Sequence, residues 1–404
     1  MVEDLPELRE LVAEQLGTWE YTVWAIHAGQ FDDLYQRFYA GGEVAEARQL
    51  PEDVWAVLDQ AVIRNASDIH MSVGEQPAVR IDGSIVRLHT APLTADWCRE
   101  EFRRLAGEGR FETLEALNDV DFAITFGAAR FRVNLGADRR GFTAALRKIP
   151  TKIPQIADLG LPPSLVDYVC GLDRGLVLVT GPTGSGKSTT NAALLAELAA
   201  RYPKHILTLE DPVEYVLPSG RAMVHQRELG ESFDSFDTGL RQALRQDPDV
   251  ILVGELRDPE TMETALHAAE TGHLVFGTLH TVDAASTVAR LVSSFPSDVQ
   301  DHVRAQLAYI LKAVVSQTLL PLRNAKGRVA AFEIMTSNPA IASNLRKVDG
   351  HVQLRQAIET ARGEGMQTLE MHLAELVLAG TVAEDVAALK APNLDDFHRR
   401  LAAE

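Results

Sequence analysis

The sequence predicts an α/β protein in two main parts, a mixed α+β segment over residues 51–150 and a parallel-sheet segment over residues 159–404 whose C-terminal portion is helical. Three observations predict it. Beyond Gly160, short apolar runs of strand length alternate with longer helical patterns, the rhythm of a parallel sheet built from βα units. Between Leu50 and Pro150 the runs instead alternate apolar with polar residues, as half-buried strands do. Joining the two, Ile149-Pro150-Thr151-Lys152-Ile153-Pro154 places two prolines in six residues, which disfavours any regular element and marks a linker over 151–158.

Each element follows in order. Residues 1–50 read as a helical extension, with Leu8, Leu11, Val12 and Leu16 at three- and four-residue spacing. Trp19, Tyr21, Trp24, Phe31, Tyr35 and Phe38 then form an aromatic-rich stretch that ends at Gly41-Gly42. Packing on the chain itself is the simpler reading, docking on a partner the other. Ala78–Ile81 and Ser84–Leu88 alternate about Asp82-Gly83, a hairpin signal. Phe122–Ile124 and Ala129–Val133 add strands. Leu176–Thr180 is followed by a glycine-rich loop and a helix running through Ala193–Ala200, with further central strands at Ile206–Leu209, Val250–Val253 and Leu274–Gly277. From about Pro296 the pattern reads as mainly helical, and no internal repeat stands out.

Composition narrows the function classes. A hydrophobic fraction of 46% with 24% charged residues belongs to a soluble globular protein. The net charge of −18 argues against a nucleic-acid coat or a polybasic membrane binder, both of which need excess Lys and Arg to meet phosphate. Cys98 and Cys170 lie far apart, without ligand-spaced partners, and read as reduced thiols of a cytoplasmic protein rather than as a disulfide or zinc site. The charged N-terminus has no apolar core of signal-peptide length, and no run of ~18 apolar residues could span a bilayer, so membrane association is expected only through partners.

The most specific motif is Gly181-Pro182-Thr183-Gly184-Ser185-Gly186-Lys187-Ser188, followed by Thr189, which matches G-x-x-x-x-G-K-[ST] between a predicted strand and helix. Small residues let successive N–H groups curl round the β- and γ-phosphates of ATP, and the helix adds its positive end. Lys187 is placed to pair with phosphate charge, and the Ser188 hydroxyl to ligate Mg²⁺. A second segment, Asp247 to Glu255, is an apolar strand ending in a carboxylate. Glu255 is the candidate to hold Mg²⁺ or polarise the attacking water, whereas Asp249 reads as a cap, turn or supporting acid. Glu210-Asp211 also falls at a strand end, the edge at which α/β sheets bind ligands, and Glu210 is a candidate water-activating base. His273 and His280 flank the strand Leu274–Gly277. Structural roles are the simpler reading, and sensing the γ-phosphate or bridging to a neighbouring subunit the functional one.

Taken together these residues resemble the secretion ATPases of type II secretion and type IV pili. The resemblance rests on four motifs in order: the phosphate loop; an aspartate box, Thr208-Leu-Glu210-Asp211-Pro212-Val-Glu214-Tyr215; the strand ending at Glu255 with Leu256-Arg257-Asp258; and a histidine box from Thr271-Gly272-His273 to His280-Thr281. It extends from Ala66-Ser67-Asp68-Ile69-His70 to Gly365-Met366-Gln367-Thr368-Leu369. Within the family the chain is most similar to the pilus retraction ATPases, the PilT type, in length, in Phe131-Arg132-Val133-Asn134 and in Arg241-Gln-Ala-Leu-Arg245. It lacks the paired cysteines of the assembly ATPases.

The resemblance implies a homohexamer that couples ATP hydrolysis to motion of an inner-membrane pilus platform protein. Each chain would join a PAS-like N-terminal domain to a RecA-like ATPase domain. It also implies that arginines complete the site, here Arg132 and Arg147, with Arg130 and Arg140 as companions. Two departures bear on the task. Ala340–Lys347 keeps only Ala340, Ile341 and Arg346 of the retraction segment, and residues before about Leu50 are an addition that suits another secretion or DNA-uptake machine. A nucleic-acid motor is the competing class, and it would need a basic, aromatic-interleaved channel that the sequence does not offer.

Overall fold

The computed structural model describes residues 49–81, 83–149 and 152–403. The helical pattern at Leu8–Leu16, the aromatic stretch Trp19–Phe38 and Asp82 of the expected hairpin turn lie outside them. Contacts divide the described residues into two compact units, one reaching to residue 120 and joined by 135–147, the other made of 121–134 and the described residues from 148 onward.

The N-terminal elements are α1 (Val54–Ile63), β1 (Asp68–Ser72), β2 (Ala78–Ile81), β3 (Ser84–Arg87), α2 (Ala95–Ala106), α3 (Glu108–Leu117), β4 (Asp119–Phe126), β5 (Ala129–Asp138) and β6 (Gly141–Ile149). Their sheet has the order β3-β2-β1-β6-β5-β4. The hairpin forms in the expected register, Ala78 opposite Arg87 and Ile81 opposite Ser84, with Gly83 at φ +85° where a side chain would be strained. Helix starts are encoded locally: Asp53 and Thr94 accept from the backbone N–H groups of Ala56 and Trp97 and so satisfy otherwise unpaired donors. Strands β1 and β6 had no sequence expectation. Met71 and Ile69 are buried among polar neighbours, an alternation too short to stand out from loop.

The remaining chain runs α4 (Pro163–Cys170), β7 (Gly175–Thr180), α5 (Lys187–Arg201), β8 (His205–Glu210), β9 (Met223–Glu228), α6 (Phe236–Ala243), β10 (Val250–Val253), α7 (Pro259–Glu270), β11 (Leu274–Leu279), α8 (Ala284–Ser293) and α9 (Gln300–Ile310). Then come β12 (Leu311–Pro321), β13 (Arg328–Thr336), α10 (Pro339–Leu345), α11 (His351–Thr360), α12 (Leu369–Leu378), α13 (Glu384–Ala388) and α14 (Leu394–Ala403). The sheet order is β13-β12-β7-β11-β10-β8-β9, with every pair parallel except β12 with β13.

Strands β7, β10 and β11 are buried along their whole length. Their side chains alternate between two cores. Leu176, Leu178, Ile251, Val253 and Val275 face the core built with α6 to α9, whereas Val177, Val250, Leu252, Leu274 and Phe276 face that built with α4 and α5. Burial on both faces is why these strands read as continuous apolar runs. A third core, with Leu320, Ala331, Leu373 and Phe397, packs the last helices on the β12–β13 ladder. Beyond Pro296 the structure therefore departs from a mainly helical pattern by one long hairpin. Leu311-Lys312-Ala313-Val314-Val315 carries almost no polar alternation, and a buried strand of that kind cannot be told from a buried helix by period.

Candidate functional site

Parallel pairing brings the carboxyl ends of β7, β8, β10 and β11 to one edge, where open α/β sheets bind ligands. At that edge β7 passes into the loop Gly181–Gly186 and then α5. Gly181, Gly184 and Gly186 adopt φ of +144°, +75° and +92°. At Gly181 a Cβ would also lie 2.3 Å from the Gln317 carbonyl oxygen, so glycine is required twice over. No side chain caps the start of α5, which leaves its first N–H groups and the positive end of its dipole to an anion.

Lys187 Nζ donates to the Gly181 and Pro182 carbonyls, at 2.8 and 3.2 Å. Burial lowers its pKa, and the carboxylates of Glu255 and Glu214 work in the opposite direction. The Thr189 hydroxyl shares a hydrogen bond of 2.9 Å with Tyr215 OH. Ser188 and Thr189 line a cleft of about 500 Å³ together with Glu210, Glu255, His280 and Arg132.

Two acidic strand ends line the same cleft as Lys187. Glu210 closes β8, and its Oε1 accepts from Thr208 Oγ1 at 2.6 Å and Gln226 Nε2 at 3.0 Å. Burial pushes its pKa up to about 7, even though those hydrogen bonds favour the charged form. Glu255 follows β10 through Gly254, whose N–H donates to Leu209 O at 2.7 Å and whose carbonyl accepts from Thr278 Oγ1 at 2.5 Å. The carboxylate is thereby fixed from β8 and β11 at once. Its Oε2 meets Arg257 Nη2 at 2.8 Å and its Oε1 meets His280 Nε2 at 3.2 Å. Arg257 also reaches Asp211 at 3.6 Å. A cradle of N–H groups with a lysine opposite two carboxylates suits a phosphate chain, and the Ser188 hydroxyl with the Glu255 carboxylate is a hard oxygen donor set that fits Mg²⁺.

The family described as type II/IV secretion system protein matches residues 43–388. The chain belongs to this family. Among secretion-family relatives it is 44% identical to the type IV pilus retraction ATPase PilT of Pseudomonas aeruginosa, over 85% of this chain and 100% of that one. It is 42% identical to a twitching motility protein of Neisseria gonorrhoeae, over 80% and 86% of the two chains. A crystal structure of the pilus retraction motor PilT with bound ADP superposes with a TM-score of 0.80 at 41% identity, covering 86% of this chain and 99% of that one. The fold class implied by the motifs is the one found, an α+β N-terminal part followed by a RecA-like P-loop part with helices at its C-terminal end.

The secretion-family residues are not all brought together. Arg132, on β5, lines the cleft and makes a bidentate pair with Asp121, which raises its pKa. Arg130 is committed elsewhere, to Val213 O and Glu228 at 2.9 Å each. Arg147 pairs with Asp68 at 2.9 Å and Arg140 with Glu75 at 2.8 Å, both within the other compact unit. His280 stands on Glu255, but His273 sits at the opposite end of β11, its Nδ1 on Ala268 O at 3.0 Å. Asp249 is likewise at the far end of β10, where Oδ2 accepts from His205 N at 2.7 Å, a support of the strand starts. Cys98 and Cys170 are buried free thiols that burial pushes up to about 12 and about 11, and Cys170 Sγ donates to Leu194 O at 4.0 Å.

Four site residues carried no assignment from sequence: Glu214, Tyr215, Arg257 and Gln317. The first three lie within or next to quoted motifs, so proximity to Glu210 and Glu255 was a usable signal. Gln317 had none, being 129 positions beyond Ser188 in a segment that reads as helix.

Proposed function

We propose that this chain is a Mg·ATP-hydrolysing motor that works as a homohexamer and drives type IV pilus retraction. The single observation that carries the ATPase reading is the convergence of Lys187, Glu210 and Glu255 on one cleft beside the phosphate loop. The identity to PilT over its full length supports the retraction task.

Residue roles follow from the geometry. Lys187 exchanges its two loop carbonyls for the phosphate oxygens, and the loop N–H groups hold the same oxygens from the other side. Ser188 and Glu255 are the residues that would hold Mg²⁺. When bound, the ion neutralises charge between the β- and γ-phosphates. Arg257 and His280 hold the Glu255 carboxylate in orientation, one on each oxygen. Glu210, poised near neutrality by burial, accepts the proton of the attacking water, and Arg132 offers positive charge to the departing phosphoryl group. Arg147 acts, in this reading, toward a neighbouring subunit's nucleotide, and His273 toward a subunit contact.

No helix among the described residues is long and apolar enough to cross a membrane. In this reading the motor works in the cytoplasm and is held at the inner membrane through a platform protein. Lys187→Ala is expected to reduce phosphate release from ATP to background, and turnover at the wild-type rate would overturn the assignment. For the task, a deletion strain should be hyperpiliated and unable to twitch. The altered Ala340–Lys347 segment, within α10 and the turn after it, favours a second reading as the motor of another secretion or DNA-uptake machine. In that case the deletion leaves pilus number and twitching unchanged.

A further inference from the structure

We infer that Gln317 is a positioning residue for the nucleotide reaction, bracing the phosphate loop in its binding shape from the neighbouring strand; this rests on the nucleotide reading above. Gln317 does not line the cleft and so acts through the loop. It lies on β12, which runs parallel to β7. Its side chain is 4% exposed, with Nε2 donating to Ser185 O at 2.6 Å and Oε1 accepting from Thr190 Oγ1 at 2.8 Å. Its own carbonyl oxygen presses on Gly181, leaving no room there for a Cβ. One residue thus touches the loop at its start, near its end and on the first turn of α5. Next to it, Ser316 Oγ accepts from Thr180 Oγ1 at 2.8 Å, which fixes the last residue of β7 to the same strand.

The reason for such a brace is the accounting of backbone groups. The loop can turn its N–H groups toward phosphate only if its carbonyls turn away and find donors there. Lys187 serves the Gly181 and Pro182 carbonyls from the open side, and it is the group a phosphate would draw off. Ser185 O is served from the buried side, by an amide that has no other use for that donor. An amide donates to a carbonyl and accepts from a hydroxyl in one fixed arrangement at any pH, because it never carries charge.

The test is an isosteric variant whose donor can be switched. In Gln317→Glu the protonated carboxyl still donates to Ser185 O, whereas the ionised carboxylate faces that carbonyl oxygen with no proton. Burial raises the carboxyls of Glu210 and Glu333 in this sheet, and it acts in the same direction on a buried Glu at 317. The KM for Mg·ATP and kcat of the full chain would be measured at about pH 6 and about pH 8.5, each as a ratio to the wild-type chain at the same pH, so that the titration of Glu210 and Glu333 cancels.

The KM ratio is expected to be within about twofold at the lower pH and about tenfold or more at the higher, as for a lost buried hydrogen bond, with a smaller change in kcat. Gln317→Leu should raise KM about tenfold at both pH values. A KM ratio for Gln317→Glu that changes less than about threefold between the two pH values overturns the brace, and this variant decides alone if the leucine variant fails to fold. Wild-type chain that neither binds nor hydrolyses ATP sinks the nucleotide reading instead. Wild-type turnover with a pH-insensitive variant sinks only the brace.

Discussion

At the residue scale, chemistry at the cleft is set by where burial places charge. Glu210 is a carboxyl whose desolvation outweighs three hydrogen bonds, from Thr208, Gln226 and the Glu214 backbone, leaving it half ionised near neutrality. As a general base it must be deprotonated, so kcat should rise with pH through about 7 and level off above. Glu210→Gln should lose about a hundredfold or more in kcat together with that limb of the profile, as removing a general base does. A kcat–pH profile that keeps the limb in the variant would assign it to another group. The phosphate-loop residues were legible from sequence because their spacing encodes backbone conformation directly, glycine where φ is positive and a lysine at the helix start. Glu210 and Glu255 were legible as strand ends. His273 was not separable from His280, since sequence gives both ends of a strand without saying which one carries the ligand edge. The parallel pairing decides that.

At the element scale, the buried polar groups of β12 and β13 tie the sheet to what surrounds it. Glu333 Oε1 accepts from Ala284 N at 2.7 Å and so serves the start of α8, but burial, reinforced by Asp283 and Glu370, pushes its pKa up to about 7. The sign follows from proton binding. Between about 4.5, the unfolded value, and about 7 the folded chain holds a proton that the unfolded chain has lost. Glu333 therefore favours folding least above pH 7, and its favourable contribution is lost as pH rises through that window. Glu333→Gln keeps an acceptor for Ala284 N without the charge. It should raise the thermal midpoint of the chain at pH 8 and leave it nearly unchanged at pH 5, measured by thermal unfolding; equal shifts at both pH values would assign the effect to packing. The same hairpin marks the limit of pattern reading. Strands β7, β10 and β11 are short apolar runs bounded by glycine, aspartate or histidine, and their existence was plain from sequence. Strand β12 is buried over most of its length but is long, and it follows α9 without a turn residue, so length and flanks both point to helix. That single misreading hid Ser316 and Gln317, the two residues that reach the loop from the side.

At the scale of the whole molecule, the proposal turns on whether the subunits of a ring depend on one another. A chain with a net charge of −18 does not favour close self-association by charge alone, so assembly must come from specific surfaces, and closed point-group symmetry is the form such homo-oligomers take. Lys187 allows this dependence to be measured without identifying the surfaces, because Lys187→Ala removes one side chain of the nucleotide cleft, whose bonds are to carbonyls of its own loop. Wild-type and Lys187→Ala chains unfolded together and refolded in known proportions give rings of mixed composition. If one defective subunit stops a six-membered ring, an equal mixture retains about one-sixtieth of the wild-type turnover, whereas independent subunits retain about half. A steep fall is the expected outcome, and it should accompany a sedimentation peak of six chains in the presence of Mg·ATP. A linear fall with the same six-chain peak would mean a ring whose sites fire independently, and force would then have to be produced within each subunit rather than passed round the ring.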